Sequence, residues 1–196
     1  GEGEKLVKWT RREPHKGEVV MHVVSPLADK APPGAPPAAD AALARATAEA
    51  VGTAADPKER IERILDWLDE KMKKEFKPGL GEPAAILADR RGDATEYTRL
   101  FVAMARAGGV PARTRIGFVA RRTGFFLHPW AEVWIGGWVP VDPFLGQLPA
   151  DATHIRIATP GADALSGWDA RRVPGLDRLE LRVVLPEPKT AVTGGG

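Results

Sequence analysis

The sequence predicts an α+β fold in which helices pack on an antiparallel β-sheet. Helix-period apolar patterns with capping signals occupy the stretch from Asp40 to Gly109. Consecutive segments rich in β-branched and aromatic residues follow from Ala112 to Asp142. Helices that precede a group of consecutive strands are typical of α+β domains. We therefore expect one sheet that packs against the helix beginning at Ala94.

The N-terminal segment is expected to lie at the periphery of the domain. Val19 to Val24 forms a short strand in this interpretation, and the Pro-rich stretch from Ala31 to Pro37 is an extended connector. Residues 1–38 are thus predicted to be a strand and a Pro-rich connector. Residues 39–196 are predicted to form a single domain, since the whole chain has 196 residues and an ordinary hydrophobic fraction of 43%.

Capping signals and apolar stripes define the helices. The first helix is predicted for Asp40 to Ala50, and the second begins at Asp56-Pro57-Lys58-Glu59, which supplies an N-cap, a first-turn proline and a capping-box glutamate. A short helix over 82–88 precedes a long one from about Ala94 to Gly108. The two long helices carry these core-facing stripes: Ile61, Ile64, Leu65, Leu68 and Met72, then Tyr97, Leu100, Phe101 and Met104.

Three consecutive strands are predicted next, over Arg113 to Ala120, Phe125 to Ile135 and Trp138 to Asp142. A last strand is predicted for Leu179 to Leu185, after a loop-rich stretch over 159–175.

Composition excludes several classes of function. The 28 basic and 26 acidic residues give a formal charge of +2, and no basic cluster is interleaved with aromatics, so a nucleic-acid partner is not expected. The absence of cysteine excludes disulfides and thiolate metal sites, and the four histidines are too scattered along the chain to indicate zinc ligands. The sequence has no EF-hand-like loop of carboxylates, so calcium is not expected. We expect neither a metal nor a cofactor.

The sequence gives no sign of a membrane-spanning segment. No apolar run approaches the roughly 20 residues that cross a bilayer, and the start, Gly1 to Lys5, lacks the form of a signal peptide. An export signal or anchor is thus expected to be absent from this sequence.

The stretch Gly92-Asp93-Ala94-Thr95-Glu96 is the most informative about chemistry. It opens a helix, and free N–H groups with the positive end of the helix dipole stabilise a thiolate at such a position. His128 on a later strand and Asp142 at the end of the next would supply the base and the group that orients it. Ala94 offers only a methyl group, so the site is predicted to lack its reactive atom.

Four stretches in this order resemble the transglutaminase-like superfamily, closest to its bacterial domains. They are Arg91 to Tyr97, Leu100 to Arg113, His128-Pro129-Trp130-Ala131-Glu132-Val133, and Gly137 to Pro143; Asp151 to Ile155 also has the look of that subgroup. The resemblance spans about residues 56–157 and implies a papain/transglutaminase-like core. It places Ala94 at the nucleophile, where cysteine is expected, His128 at the base and Asp142 at the orienting acid.

The resemblance implies a thiol-dependent amide hydrolase or acyl transferase, of cysteine-peptidase type, that acts on a protein or peptide. Water as acceptor would give hydrolysis and a lysine amine would give a crosslink; both stay open, and hydrolysis is preferred for a bacterial domain. Because many relatives are exported, a periplasmic or other extracytoplasmic location is expected. The present chain is predicted to be inactive.

Two interpretations of Ala94 stay open. An engineered Cys-to-Ala replacement is preferred, because an old pseudoenzyme would be expected to lose His128 or Asp142 as well. The alternative is a natural pseudoenzyme that serves as a non-catalytic peptide-binding module.

Other side chains near the predicted site receive weaker assignments. Trp130 and Glu132 are candidate substrate-binding residues, although large aromatics in a sheet are more often core, and the alternative for Glu132 is a position that faces water. His154 could approach the pocket, but a surface or structural role is favoured.

The alternation of side chains along a strand sets a condition for a catalytic triad of residue 94, His128 and Asp142. A two-residue Gly136-Gly137 loop would pair Ile135 with Trp138 and would point His128 and Asp142 to opposite faces. The triad therefore requires a loop of odd length or a β-bulge before Asp142, and Pro140 is a candidate for the irregular position.

Overall fold

The computed structural model describes residues 6–13, 17–24, 40–76, 81–121, 124–151 and 153–156. Near the N-terminus, strands β1 (Leu6–Glu13) and β2 (Gly17–Val24) form an antiparallel pair. The strand predicted for Val19 to Val24 is confirmed as part of β2, and β1 was not predicted. The Pro-rich connector and the strand predicted for Leu179 to Leu185 lie outside the described residues.

The predicted helices are confirmed within one or two residues at each end. They are α1 (Ala41–Val51), α2 (Pro57–Lys71), α3 (Pro83–Asp89) and α4 (Ala94–Ala107). Side-chain caps explain two of the starts: Asp40 accepts hydrogen bonds from the first turn of α1, and Asp56 accepts one from the Glu59 N–H at 3.0 Å. A short parallel pair, β3 (Lys73–Lys74) and β4 (Arg91–Gly92), leads the chain into α4.

The two predicted apolar stripes form the centre of the core. Ile61, Ile64 and Leu68 of α2 are fully buried, and so are Tyr97, Leu100, Phe101 and Met104 of α4. From the sheet, Ala112, Ala131, Val133 and Val141 join the same cluster. Burial of side chains of this kind stabilises the fold by roughly 1.5–3 kcal/mol each, so α4 is fixed against the sheet along its length.

One four-stranded antiparallel sheet completes the domain. Its strands are β5 (Ala112–Arg121), β6 (Gly124–Trp134), β7 (Trp138–Val141) and β8 (His154–Arg156), in the order β7-β6-β5-β8. The first three match the predicted strands. The short strand β8, which pairs with β5, was not predicted.

The connection between β6 and β7 satisfies the condition set by alternation. Trp134 pairs with Trp138, so the loop has three residues and not two. The register continues to the pair of Ala131 with Val141, which sets Asp142 opposite Trp130 and on the face that carries His128. The predicted irregularity is therefore confirmed as an odd-length loop. Pro140 is not its cause, since it pairs regularly with Glu132.

Among the described residues, no helix is both long and apolar enough to cross a membrane.

Candidate active site

The first turn of α4 is shaped by a complete capping box. Asp93 accepts a hydrogen bond from the Thr95 N–H at 2.7 Å, and the Asp93 N–H donates to Glu96 Oε2 at 3.1 Å. Gly92 is required for this arrangement, because a Cβ at that position would stand 2.3 Å from the Glu96 Cβ. Burial raises the pKa of Glu96, and its contact with Asp93 adds to the rise.

Ala94 is the first residue of α4, directly after the Asp93 cap, and it is half-buried. The hydrogen bonds described at this turn use the N–H groups of Asp93, Thr95, Glu96 and Tyr97. The N–H of Ala94 is not among these donors. The helix start therefore presents a partly accessible methyl beside an N–H that the cap does not occupy.

His128 and Asp142 are joined by a short hydrogen bond. His128 Nε2 lies 2.7 Å from Asp142 Oδ2, and both side chains are buried. Because Nε2 is held by the carboxylate, Nδ1 is the ring nitrogen that remains for a reacting group. The structure thus brings together two of the three predicted catalytic residues.

The carboxylate of Asp142 is fixed from both sides. Its Oδ1 accepts the N–H groups of Phe144 and Leu145 at 2.9 and 3.0 Å, and the Asp142 backbone bridges to Gln147. Burial alone would raise the pKa of Asp142, but the hydrogen bonds from His128 and His154 outweigh it and lower the pKa to about 2. Asp142 is therefore an anion at neutral pH.

A second imidazole binds the same carboxylate oxygen. His154 Nε2 lies 2.9 Å from Asp142 Oδ2, and its Nδ1 lies 3.0 Å from the Asp151 carbonyl oxygen. Burial by itself lowers the pKa of His154, whereas the hydrogen bonds to Asp142 and Asp151 raise it, with a net result of about 9. His154 is thus buried beside the predicted triad, which excludes the surface half of the role favoured for it and leaves the structural half.

The contact between Asp142 and His154 shows that the sheet is curled. Asp142 follows β7 and His154 lies on β8, and these are the two edge strands. In a flat sheet, strands three positions apart would be separated by about 14 Å, which is too far for a hydrogen bond between these side chains.

Phe144 links this group to the start of α4. Its ring lies 5.4 Å from the ring of Tyr97 and 6.4 Å from that of His128, measured between centroids. One turn beyond Ala94, Thr98 Oγ1 donates to the carbonyl of Pro129 at 3.3 Å. These contacts hold the first turns of α4 against the segment that carries His128.

The two predicted substrate-binding residues are both buried. Trp130 is only 2% exposed, and its ring meets the ring of His154 edge to face at 5.2 Å. Glu132 is held by Arg113 and Arg115, with nitrogen–oxygen distances of 2.6 to 2.9 Å. A role in substrate binding stays a prediction for both residues, and their burial favours a structural role.

His128, Asp142 and His154 are also the described residues that could hold a metal, because one ligand atom from each lies within 4.8 Å of the others. The inference that the histidines are too scattered for this is therefore wrong. The hydrogen bonds nevertheless favour a site without metal. The two nitrogens lie 2.7 and 2.9 Å from one oxygen, whereas ligand atoms around a tetrahedral zinc stand about 3.3 Å apart.

Sequence reasoning missed His154 as a partner of Asp142. The local signal was the spacing of Asp151 and His154, which allows the aspartate to fix the imidazole from one side. The contact with Asp142 could not be read from spacing, because it depends on the curl of the sheet.

Comparison with known proteins identifies the family. A family model described as the transglutaminase-like superfamily matches residues 44–143, just over half of the chain. This range contains the capped start of α4, His128 and Asp142. No curated protein matches the chain.

One solved structure shows a similar fold, and a second is reported beside it. A predicted cysteine protease from Cytophaga hutchinsonii is 21% identical, with a TM-score of 0.52 over 59% of this chain and 40% of that one. The periplasmic domain of TgpA from Pseudomonas aeruginosa is 22% identical, with a TM-score of 0.45 over 60% of this chain and 45% of that one. This chain therefore spans less than half the length of either.

Proposed function

Because this chain belongs to the transglutaminase-like superfamily, we propose that its cysteine form catalyses thiol-dependent cleavage of amide bonds in a protein or peptide, and that the Ala94 chain is inactive. The observation that carries the proposal is the 2.7 Å hydrogen bond between His128 and Asp142, at a place that Phe144 and Thr98 join to the start of α4. A methyl group cannot act as a nucleophile, so the Ala94 chain lacks the reactive atom.

Each residue has a distinct part in the proposed reaction. A thiolate at position 94 attacks the carbonyl carbon and forms a thioester, while the C–N bond breaks. His128 takes the thiol proton and delivers it to the leaving amine, and Asp142 orients the imidazole through Nε2. Water then attacks the thioester while His128 takes one of its protons; the hydroxyl bonds to the carbonyl carbon, the C–S bond breaks, and the proton passes from His128 to the sulfur. In this proposal the N–H of residue 94 donates to the oxyanion in both steps.

We propose hydrolysis in preference to transamidation because of the resemblance to bacterial members of the family. A lysine-type amine would compete with water at the same thioester. Both outcomes use the same three residues, so the acceptor has to be determined by product analysis.

The state of position 94 is also a proposal. An engineered replacement is supported by the intact hydrogen bond between His128 and Asp142. The same geometry would allow a natural pseudoenzyme to bind a peptide without turnover. The codon for residue 94 in the parent gene distinguishes the two: a cysteine codon supports replacement, and an alanine codon supports the binding module.

Restoring the thiol tests the proposed chemistry. Ala94→Cys should react with iodoacetamide at pH 7 at least about tenfold faster than Ala84→Cys, because a neighbouring imidazole and a helix start together stabilise the thiolate. Ala84 is a matched control, since it lies exposed in the first turn of α3. The restored thiol should also release amine from a peptide library, and adding a lysine analogue shows whether crosslinks form. Equal alkylation rates with no peptide turnover would refute the enzyme proposal.

An extracytoplasmic location stays part of the proposal. Fractionation of cells that express the full-length parent gene would test it, and recovery with the cytoplasmic markers would contradict it.

A further inference from the structure

Asp142 is shared by two buried imidazoles. The Nε2 atoms of His128 and His154 approach the same oxygen, Oδ2, at 2.7 and 2.9 Å, and the ring centroids lie 5.8 Å apart. An ionised carboxylate only accepts hydrogen bonds, so each of these nitrogens must carry a proton. Orienting His128 requires only the Asp142 carboxylate, so the second imidazole, His154, calls for a separate explanation.

Both ring nitrogens of His154 are held by hydrogen-bond acceptors. Its Nδ1 faces the Asp151 carbonyl oxygen at 3.0 Å and Asp151 Oδ1 at 3.3 Å. The Asp151 carboxylate is in turn fixed by Thr153 and by Gln147 Nε2 at 3.1 Å. Both ring nitrogens of His154 therefore face acceptors, which is the bonding pattern of an imidazolium and of neither neutral tautomer.

Gly117 makes room for this arrangement. It pairs with His128 on one side and with Arg156 of β8 on the other. A Cβ at Gly117 would stand 2.6 Å from the Trp130 ring and far too close to the Ile155 carbonyl. The absence of a side chain lets β8 and Trp130 close around His154.

We propose that His154 is a positioning residue of the candidate site, which binds the Asp142 oxygen that orients His128 and offsets its negative charge with an imidazolium. This inference rests on the proposed function for the use of the site, but the charge and bonding of His154 do not depend on it. With His154 charged, Asp142 orients His128 without trapping a proton on it. The proton can then pass on to the leaving amine.

The charged groups around His154 are consistent with a permanent imidazolium. Asp142 and Asp151 contact the ring directly, and both hydrogen bonds favour the charged form, in line with a pKa of about 9. In the part of the chain that the structure describes, His128 is the other basic side chain in contact with the Asp142 carboxylate. Farther along the sheet face, Glu132 is paired with the arginines of β5 and with Arg156 at 3.6 Å, so that group adds no unpaired anion.

The first test uses the Ala94 protein as it is. In 15N-labelled protein, the two ring nitrogens of His154, assigned by comparison with His154→Gln, should both be protonated at pH 7.5 and should titrate with a midpoint near pH 9. A neutral His154 ring at pH 7.5 would overturn the inference. This result is independent of whether the restored thiol reacts.

The second test measures the effect on chemistry. In the Ala94→Cys protein, adding His154→Gln should reduce kcat about tenfold or more and change KM less than about twofold, because no substrate contact is removed. The pH profile of kcat should also change, because the cation that offsets the charge of Asp142 is lost.

Ile64→Ala in the same background is the control for destabilisation, since Ile64 is fully buried in α2. It should lower the melting temperature without moving the pH profile. An unchanged kcat and pH profile in the His154→Gln protein would overturn the inference. If Ala94→Cys is itself inert, the proposed function fails and the NMR result alone decides the role of His154. The same NMR result decides it if the double variant does not fold.

Discussion

At the scale of single residues, the site lacks a nucleophilic atom at position 94 but keeps the hydrogen bonds that hold Asp142. Ala94 supplies no nucleophile, yet Asp142 accepts two backbone N–H groups and two imidazoles. Every hydrogen-bonding position around this carboxylate is used, which is the condition under which a buried anion is tolerated. The support of the site thus does not depend on the side chain at position 94.

The free energy of unfolding should depend on pH through the ionisation of His154. Its pKa is raised from 6.5 to about 9 on folding, so its contribution is complete below pH 6.5 and is lost as the pH rises through 9. The loss has an upper bound of roughly 3 kcal/mol, at 1.36 kcal/mol for each unit of pKa. Urea unfolding between pH 6 and 9.5 should show this decline, and His154→Gln should flatten it. Parallel declines in both proteins would contradict the prediction.

Gly92→Ala should destabilise the protein by roughly 1–3 kcal/mol, because the new methyl would overlap Glu96 and break the reciprocal cap. Gly137→Ala is the matched control, since nothing lies within 4 Å of a Cβ there. Thermal unfolding of the two variants gives the comparison. Equal melting temperatures would show that Glu96 can leave the cap without cost.

At the scale of elements, the odd-length loop between β6 and β7 decides whether the site exists. Its three residues set Asp142 on the face of the sheet that carries His128. The curl of the sheet then brings β8, the far edge strand, to the same carboxylate. Two features of the sheet, and no feature of the helices, therefore assemble the pair of imidazoles.

Deleting Val139 from β7 should separate His128 from Asp142. If the pair of Trp134 with Trp138 and the three-residue loop are kept, the later residues of β7 move by one position, which sets Asp142 opposite Ala131 and turns it to the other face. In the Ala94→Cys background, we expect the alkylation rate to fall to that of Ala84→Cys, while the far-UV circular dichroism stays close to that of the parent. Gly137→Ala deletes no residue and should keep the rate. A deletion variant that alkylates as fast as its parent would contradict this account.

The elements differ in how well the sequence predicts them. Helix starts such as Asp56-Pro57 and Asp93-Ala94 are local, because the cap and the residue that it caps are neighbours in the chain. The loop of three residues was predicted only as a condition for the triad, since Gly136-Gly137 also suits a two-residue turn. The strand β8 was missed because three residues carry no periodic signal.

At the scale of the whole molecule, one core supports the candidate site. Side chains from α1, α2, α3, α4 and the sheet belong to one cluster of buried residues. The family and the fold were predicted from motifs, and both are confirmed. His154 was misjudged because its partner Asp142 comes from the opposite edge of the sheet, and such contacts depend on the assembled structure.

Removing residues 1–38 should leave the domain intact. The strands β1 and β2 pair with each other and do not extend the four-stranded sheet. We expect the melting temperature of the shortened protein to stay within about 3 °C of the parent, a change of less than about 1 kcal/mol. Differential scanning calorimetry measures it. A shortened protein that is insoluble, or that melts much earlier, would show that the N-terminal segment belongs to the core.

The length of β7 also constrains how this sequence can diverge. Side chains alternate along a strand with a period of two, so an insertion or deletion of one residue between Trp138 and Asp142 turns Asp142 away from His128, whereas a change confined to the unpaired loop can leave the register as it is. Catalytic descendants of a common ancestor should therefore differ between these two positions by even numbers of residues. Lineages with an odd difference should have abandoned the chemistry or regained it through a compensating bulge.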